Sequence, residues 1–378
     1  MKASSTVAII MQNAFLRFMK LIIAFLLIIL AFCNCSNSSP YEVINVTEGT
    51  GKKQGFIDFT LSGNKIWAIT GNSSLITFDL QNEHKSKVSL DEGVKIIALA
   101  KDKNGSIVIA DTKNRIGRNE AGHWSFTNAY KSRIKEIFYT KRNDEYLLTD
   151  TGILNVKQNK SYLPDSSLNH QLRLPYAFRA YACTYIDSQD NIWLGYNHGE
   201  WGGDIYIFST VENRFIAPKL KGFEIELSPI FAFTEGPEGV YFSGGLSHLG
   251  MTSGYLGLFQ NFTSKTLFQN EYSEWPRDSI KREGYYIGPI NYNQWDNSLY
   301  FYTQHGFYRC ASNTDISKVK NWENVLKPEL LWHYSQKNAT GFEMNVSKIL
   351  NTGPGAFMFL TELNGIGYFN DNKLIMFQ

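Results

Sequence analysis

Residues 186–207 read IDSQDNIWLGYNHGEWGGDIYI, and this stretch decides the fold. Ile186 closes one apolar run, and a polar turn follows at Asp190 and Asn191. IWLGY then reads as a second strand, YNHGEWGGD as a loop, and DIYI as a third strand. Short apolar runs bounded by Asn, Asp and Gly are hairpin signals.

Weaker copies recur along the chain. Aligned on the second strand, they are KIWAIT at Trp67, SIVIAD at Val108, EYLLTD at Tyr146, NIWLGY at Trp193, GVYFSG at Tyr241, SLYFYT at Tyr300 and FMFLT at Met358. A turn cluster precedes each, among them Ser62-Gly63-Asn64, Asn104-Gly105 and Asn143-Asp144. Apolar runs stand on both sides, and HWSF, RFIAP, KTLF and KLIMF supply fourth strands in four units. A repeat of roughly 40–60 residues built from four strands is the signature of a propeller blade. Radial stacking also protects sheet edges that no single unit could cover. The expectation is an all-β chain: a single β-propeller of seven four-stranded blades over 53–378. Blade insertions keep six or eight in play. The only helical periodicity falls at 316–331, where Pro328 interrupts it.

The 378 residues are 43% hydrophobic and 15% aromatic, which suits half-buried pleated surfaces. A net charge of +2 leaves no basic footprint for nucleic acid. Cys183 and Cys310 lie in apparent strands of different repeats, and buried free thiols are expected there. A disulfide between them is the alternative.

Residues 21–32, LIIAFLLIILAF, are uncharged and follow Arg17 and Lys20. A positive segment before a short apolar run reads as an export signal, since a dozen residues fall short of the roughly 20 a membrane span needs. Leu30-Ala31-Phe32-Cys33 resembles the lipobox of bacterial lipoproteins, with Phe32 where the motif carries a small residue. The resemblance implies a signal peptide at 1–33, lipidation at Cys33 (Cys35 being the alternative) and a tether with first strand at 34–52. Met19 is an alternative start to Met1. The localisation expected is the cell envelope, as an outer-membrane lipoprotein held by an N-terminal lipid, or otherwise secretion.

D-x-x-x-N-I-W-L-G at 187–195 resembles the regulator-propeller repeat of bacterial sensor ectodomains. NGSIVIADTKNRIGRNEAG at 104–122 is similar to repeats of the virginiamycin B lyase and NHL-like propellers. These motifs imply architecture and carry no chemistry, because one such fold hosts many functions. The lyase family implies a His-based site with Mg²⁺, but its catalytic residues find no residue-by-residue match here.

Strand order sorts loops by face. The loop joining second to third strand and the loop leading to the next blade share one face. His198, Glu200, Trp201, His248 and His305 map to it, as do Trp275, Arg282, Tyr285 and Tyr286. His84 and His123 map to the other face. Long loops tend to carry function, and the longest connections precede blades 4 and 6. The aromatic residues suggest platforms for an apolar or sugar face. His198 and His248 could share a divalent metal with Glu200, or act as acid and base near neutrality. Trp67 and Trp193 are expected in the core. The function expected first is binding of a glycan, peptide or envelope protein on that loop face, without catalysis. The alternative is a metal-assisted lyase or hydrolase using the His-bearing loops of blades 4 to 6.

Overall fold

The computed structural model describes residues 41–46, 55–120, 122–164, 181–225, 228–248, 251–269, 284–331 and 344–378. Within them the chain forms seven antiparallel sheets in sequence order, a seven-bladed β-propeller. The first strands lie innermost: Phe56–Ser62, Ile96–Lys101, Ile134–Tyr139, Tyr181–Ile186, Ile230–Gly236, Ile287–Asn293 and Val346–Gly353. The second strands match the seven aligned repeats, and Asn191–Asn197 pairs with Gly203–Ser209 as the opening stretch predicts.

The repeat motif has a physical reason. In blade 4 the Asp187 carboxylate accepts hydrogen bonds from the backbone N–H of Gln189 and Asn191, both at 2.8–2.9 Å. It also accepts from Asn191 Nδ2 and, at 2.8 Å, from Trp193 Nε1. One carboxylate thus satisfies the turn and the indole that would otherwise be buried without a partner. Trp193 is 1% exposed and packs on Phe233 and Phe259 of blade 5. Gly195 is required for the same reason. A Cβ there would stand 2.6 Å from both Cys183 Sγ and Ile230 of the neighbouring blade. Trp67 is half-buried, edge-on to Trp124.

Apolar residues cluster between adjacent blades. Phe138, Tyr146 and Leu148 meet Leu194, Tyr206 and Phe208 between blades 3 and 4. Phe59, Ile66 and Phe78 meet Met358, Ile366 and Phe377 between blades 1 and 7. Cys183 and Cys310 are free thiols. Burial pushes both up, which suits packing and disfavours reactivity.

Three features go beyond the sequence expectation. The seventh sheet has five strands, because Glu42–Val46 lies outside Lys373–Phe377. Ile44 and Val46 pack against the blade 7 and blade 1 core. That cover explains why KLIMF is apolar, whereas the outer strands Lys85–Lys87 and Lys160–Tyr162 are largely exposed. Second, the segment 316–331 forms no α-helix. It makes a 3-10 turn at Val319–Asn321 and the outer strand Glu323–Leu326 of blade 6. Trp322, 7% exposed, anchors it against Phe268 and Phe301. Third, each of the seven first strands shifts register near its start. Such bulges re-aim side chains.

On the face of the first-to-second-strand turns, polar bonds cross every blade junction. Ser62 Oγ donates to Gly105 O, Lys103 N to Asn143 Oδ1, and Lys141 N to Asp190 Oδ1. Ser188 N and Oγ both donate to Glu235, at 2.6 Å. Tyr292 N donates to Thr234 Oγ1, and Asn293 Nδ2 to Gly353 O. Lys373 and Glu83 close the ring between blades 7 and 1 at 3.3 Å. Positive φ at Gly63, Gly105, Asn143, Asp190, Gly239, Asn297 and Gly355 keeps these turns tight.

Candidate functional site

The opposite face carries the second-to-third-strand loops and the connections between blades. Its best described element is the hairpin end of blade 4. A 3-10 turn at Gly199–Trp201 is held by hydrogen bonds from His198 N to Gly202 O and from Trp201 N to His198 O. The Asn197 side chain fixes Gly199 N at 2.8 Å. Trp201 projects from this turn at 74% exposure, the second most exposed of the large hydrophobic side chains among the described residues. Glu200 is exposed beside it.

Beneath the turn sits a polar cluster facing blade 3. The Tyr196 and His198 rings stack at 6.0 Å, and Tyr206 meets Tyr196 edge-on at 5.5 Å. Tyr196 is fully buried, yet its hydroxyl makes no hydrogen bond among the described residues, nor does the buried His198 Nε2. Desolvation lowers the His198 pKa, which favours the neutral imidazole. Desolvation and the Asp204 carboxylate raise that of Tyr206. Asp204 is buried opposite Tyr196 and accepts from Ile205 N, so it belongs to this cluster.

Other residues placed on this face serve packing. Tyr285 lies edge-on to His305 at 5.5 Å and to Trp322 at 4.9 Å. Tyr286 is 5% exposed, against Phe231. Tyr285 and His305 thus meet within blade 6, whereas the ring of Tyr286 turns to Phe231 of blade 5. Asp111 is fully buried and pairs with Arg115 at 2.7 Å, a contact internal to its own turn. His248 ends the second strand of blade 5 in register with Met251, and its side chain lies outside the described residues. Trp275, Arg282 and Cys33 also lie outside them.

The channel at this end holds charges that loop-by-loop reading misses. Lys348 Nζ of blade 7 donates to Asp58 Oδ1 of blade 1 at 2.7 Å and to Phe59 O at 2.8 Å. Tyr181 of blade 4 donates to Glu136 of blade 3 at 2.9 Å. Desolvation, then the Asp58 charge, pushes the Glu136 pKa up to about 7, against smaller opposing effects of Tyr181, Lys348 and Lys135. All sit near the starts of first strands, beside the register shifts. The available signal was the charge in GFIDFTL, RIKEIFY and VSKIL, runs that should be apolar on an innermost strand.

Among the described residues no three His, Cys, Asp or Glu side chains come together to hold a metal ion. His198 offers one buried nitrogen without a companion ligand, so the described residues do not fit the Mg²⁺ that the lyase resemblance implies.

No protein-family model matches this sequence, and no curated protein does. Solved structures match in fold. The extracellular domain of a one component system from B. thetaiotaomicron aligns over 85% of this chain with TM-score 0.54 and 12% identity. This chain spans 39% of that one. Virginiamycin B lyase from Staphylococcus aureus aligns over 84% of this chain and 96% of its own, with TM-score 0.53 and 15% identity. A catalytically inactive variant of that lyase, with quinupristin, aligns over 85% of this chain and 97% of its own, at TM-score 0.54 and 16% identity. Both kinds of neighbour are β-propellers, as the sequence motifs imply, and at this identity the likeness is one of fold.

Proposed function

We propose that this propeller is an exported binding module that engages a glycan, peptide or envelope protein on its loop face. A lipid on Cys33 tethers it to the envelope, and blades 4 to 6 carry the contact surface. The observation that supports this most directly is Trp201. A large aromatic held outward by a hydrogen-bonded turn forgoes burial that its chain could otherwise gain, and such exposed groups serve as stacking platforms. The polar mouth at Asp58, Glu136 and Lys348 lies on the same face. The extracellular neighbour is consistent with export.

The test is native mass spectrometry of the full chain purified from its own envelope, with Trp201→Ala alongside. The reading predicts a glycan or protein adduct on the unmodified chain and its loss in the variant, together with a lipid mass on Cys33. An adduct retained in the variant, or none in either, overturns it. A second reading, a metal-assisted lyase or hydrolase, has one observation in its favour: the buried, partnerless His198 Nε2. It predicts a stoichiometric divalent metal on the same sample that His198→Ala removes.

A further inference from the structure

Two cross-strand rows face each other across the seam of blades 5 and 6. Tyr241, Leu258 and Lys265 lie opposite one another in blade 5, and Tyr292, Leu299 and Cys310 do so in blade 6. The Tyr241 and Tyr292 rings stack at 6.0 Å with 12° between their planes, and Leu258 and Leu299 pack in one core cluster. Gly236 makes room for the two rings, because a Cβ there would stand 2.8 Å from Tyr241 and 2.9 Å from Tyr292. Beside these rows, on the face of the stitched turns, the seam opens into a cavity of about 240 Å³. The segment 312–322 supplies one of its walls. It joins the third strand of blade 6 to the outer strand, and the matching connection in the other blades is never longer than 80–84. Ser312 and Ile316 line the cavity, and Trp322 Nε1 holds the segment down by donating to Ile316 O at 2.8 Å.

Tyr241 lines this cavity and is 7% exposed, yet its hydroxyl makes no hydrogen bond among the described residues. The Tyr292 hydroxyl is sealed from solvent, whereas that of Tyr241 is not. A phenol so far buried usually finds a hydrogen-bond partner. Burial, then the Glu238 charge and Tyr292, pushes the Tyr241 pKa up to about 12, so the hydroxyl keeps its proton for donation. Lys265 and Glu238 line the same cavity, both exposed, and neither holds an ion pair or a side-chain hydrogen bond among the described residues. Asp315 is committed to Lys318 and Ser317. One open cation, one open anion and one open hydroxyl donor thus share the cavity. A simple anion is repelled by Glu238 and a simple cation by Lys265. A neutral apolar molecule leaves the Tyr241 hydroxyl bare. A zwitterion meets all three, and Leu267, Leu299 and Ile316 give its apolar part a wall.

We propose that this cavity binds a free α-amino acid with an apolar side chain, its ammonium at Glu238 and its carboxylate at Lys265 and the Tyr241 hydroxyl. A cavity smaller than those that hold drug-sized ligands suits a molecule of that size. The site lies on the face opposite Trp201 and does not rest on ligand binding there.

The experiment is calorimetric titration of the full chain, in mild detergent, with L-leucine, leucinamide and N-acetyl-L-leucine. Leucinamide keeps the ammonium alone and N-acetyl-L-leucine the carboxylate alone, so the two also stand for the ends of a peptide. L-Leucine is expected to bind. N-Acetyl-L-leucine, with no ammonium to offset Glu238, should bind roughly threefold or more weaker, the worth of one exposed charge pair. Leucinamide should bind about tenfold weaker, since it gives up a hydrogen bond made by a charged group. Tyr241→Phe removes a hydroxyl that no described protein group bonds, so the thermal melt should stay unchanged while L-leucine weakens about tenfold. Lys265→Ala, at an exposed position, is the second variant, with a loss of roughly threefold. The proposal is overturned if L-leucine does not bind at concentrations on the order of 10 mM, if either analogue binds equally, or if Tyr241→Phe or Lys265→Ala binds unchanged.

Discussion

The two faces of this ring are built on different rules. On one, seven short turns are tied blade to blade by hydrogen bonds and ion pairs such as Ser188 to Glu235 and Lys373 to Glu83. On the other, a turn of blade 4 holds Trp201 into solvent, and the first strands place Asp58, Glu136 and Lys348 at the channel mouth. A ring closed by repetition on one face needs no repetition on the other, and that face is left to vary. Two tryptophans of one blade express the difference. Trp193 is 1% exposed with its indole N–H bonded to Asp187, and Trp201 is 74% exposed.

The largest expected effect breaks that pair apart. Trp193→Ala should lower the unfolding free energy by about 3–5 kcal/mol, the usual result of emptying a buried aromatic position. Trp201→Ala should change it by less than about 0.5 kcal/mol, as exposed sites do. Urea unfolding of the two variants beside the unmodified chain decides it. Comparable losses in both would mean that the loop face is part of the core and not a surface set aside for a partner.

The second effect concerns the channel mouth. Glu136 has a folded pKa of about 7 against an ordinary 4.5. A raised carboxylate pKa means that the folded state holds its proton more tightly than the unfolded chain does. The favourable contribution is complete below about pH 4.5 and is lost as pH rises through about 7. The shift corresponds to a loss on the order of 1–2 kcal/mol once water in the channel is allowed for. Thermal melts from pH 5 to 8 should show the decline in the unmodified chain, and Glu136→Gln should flatten it. An unchanged slope in the variant would move the pH dependence elsewhere, to groups outside the Asp58, Lys348, Lys135 and Tyr181 set.

Why the ring was legible and the mouth was not follows from what each does to a sequence. The turn and strand of D-x-x-x-N-I-W at 187–193 recur in weaker form because every blade must solve the same turn and the same packing, and second strands such as Ile107–Asp111 and Glu145–Thr149 are buried along their whole length. The outer strands Lys85–Lys87, Lys160–Tyr162 and Glu323–Leu326 are short and half in water, so no alternation marks them. The mouth is hidden by the register shifts. A bulge changes which side chains face inward, so the charge at Asp58 and Glu136 stands out in its run without showing where it points. Strand order assigns His198 and Trp201 to one face without coordinates. It does not show that Tyr285 is packed under Trp322, or that Glu136 of blade 3 meets Tyr181 of blade 4. Such contacts join residues about 40 apart, and only folded neighbours reveal them.

The smallest effect tests whether the stitching matters one bond at a time. Ser188 donates to Glu235 twice, through its backbone N–H and its hydroxyl. Ser188→Ala removes the second and keeps the first. At an exposed junction the loss should be about 0.5–1.5 kcal/mol, the net value of one hydrogen bond to a charged acceptor in partial water. Urea unfolding resolves that value, and hydrogen exchange locates it. Faster exchange confined to blades 4 and 5 would show that each staple secures its own junction and that the ring tolerates one weak seam. Faster exchange around all seven blades would show that the circuit acts as a single closed unit, because opening one seam of a ring relieves the constraint on every other. The first outcome would leave the loop face of blade 4 free to move against blade 5 when a partner of the kind proposed binds. The second would make that face as rigid as the stitched one and would require any partner of the kind proposed to fit Trp201 where it stands.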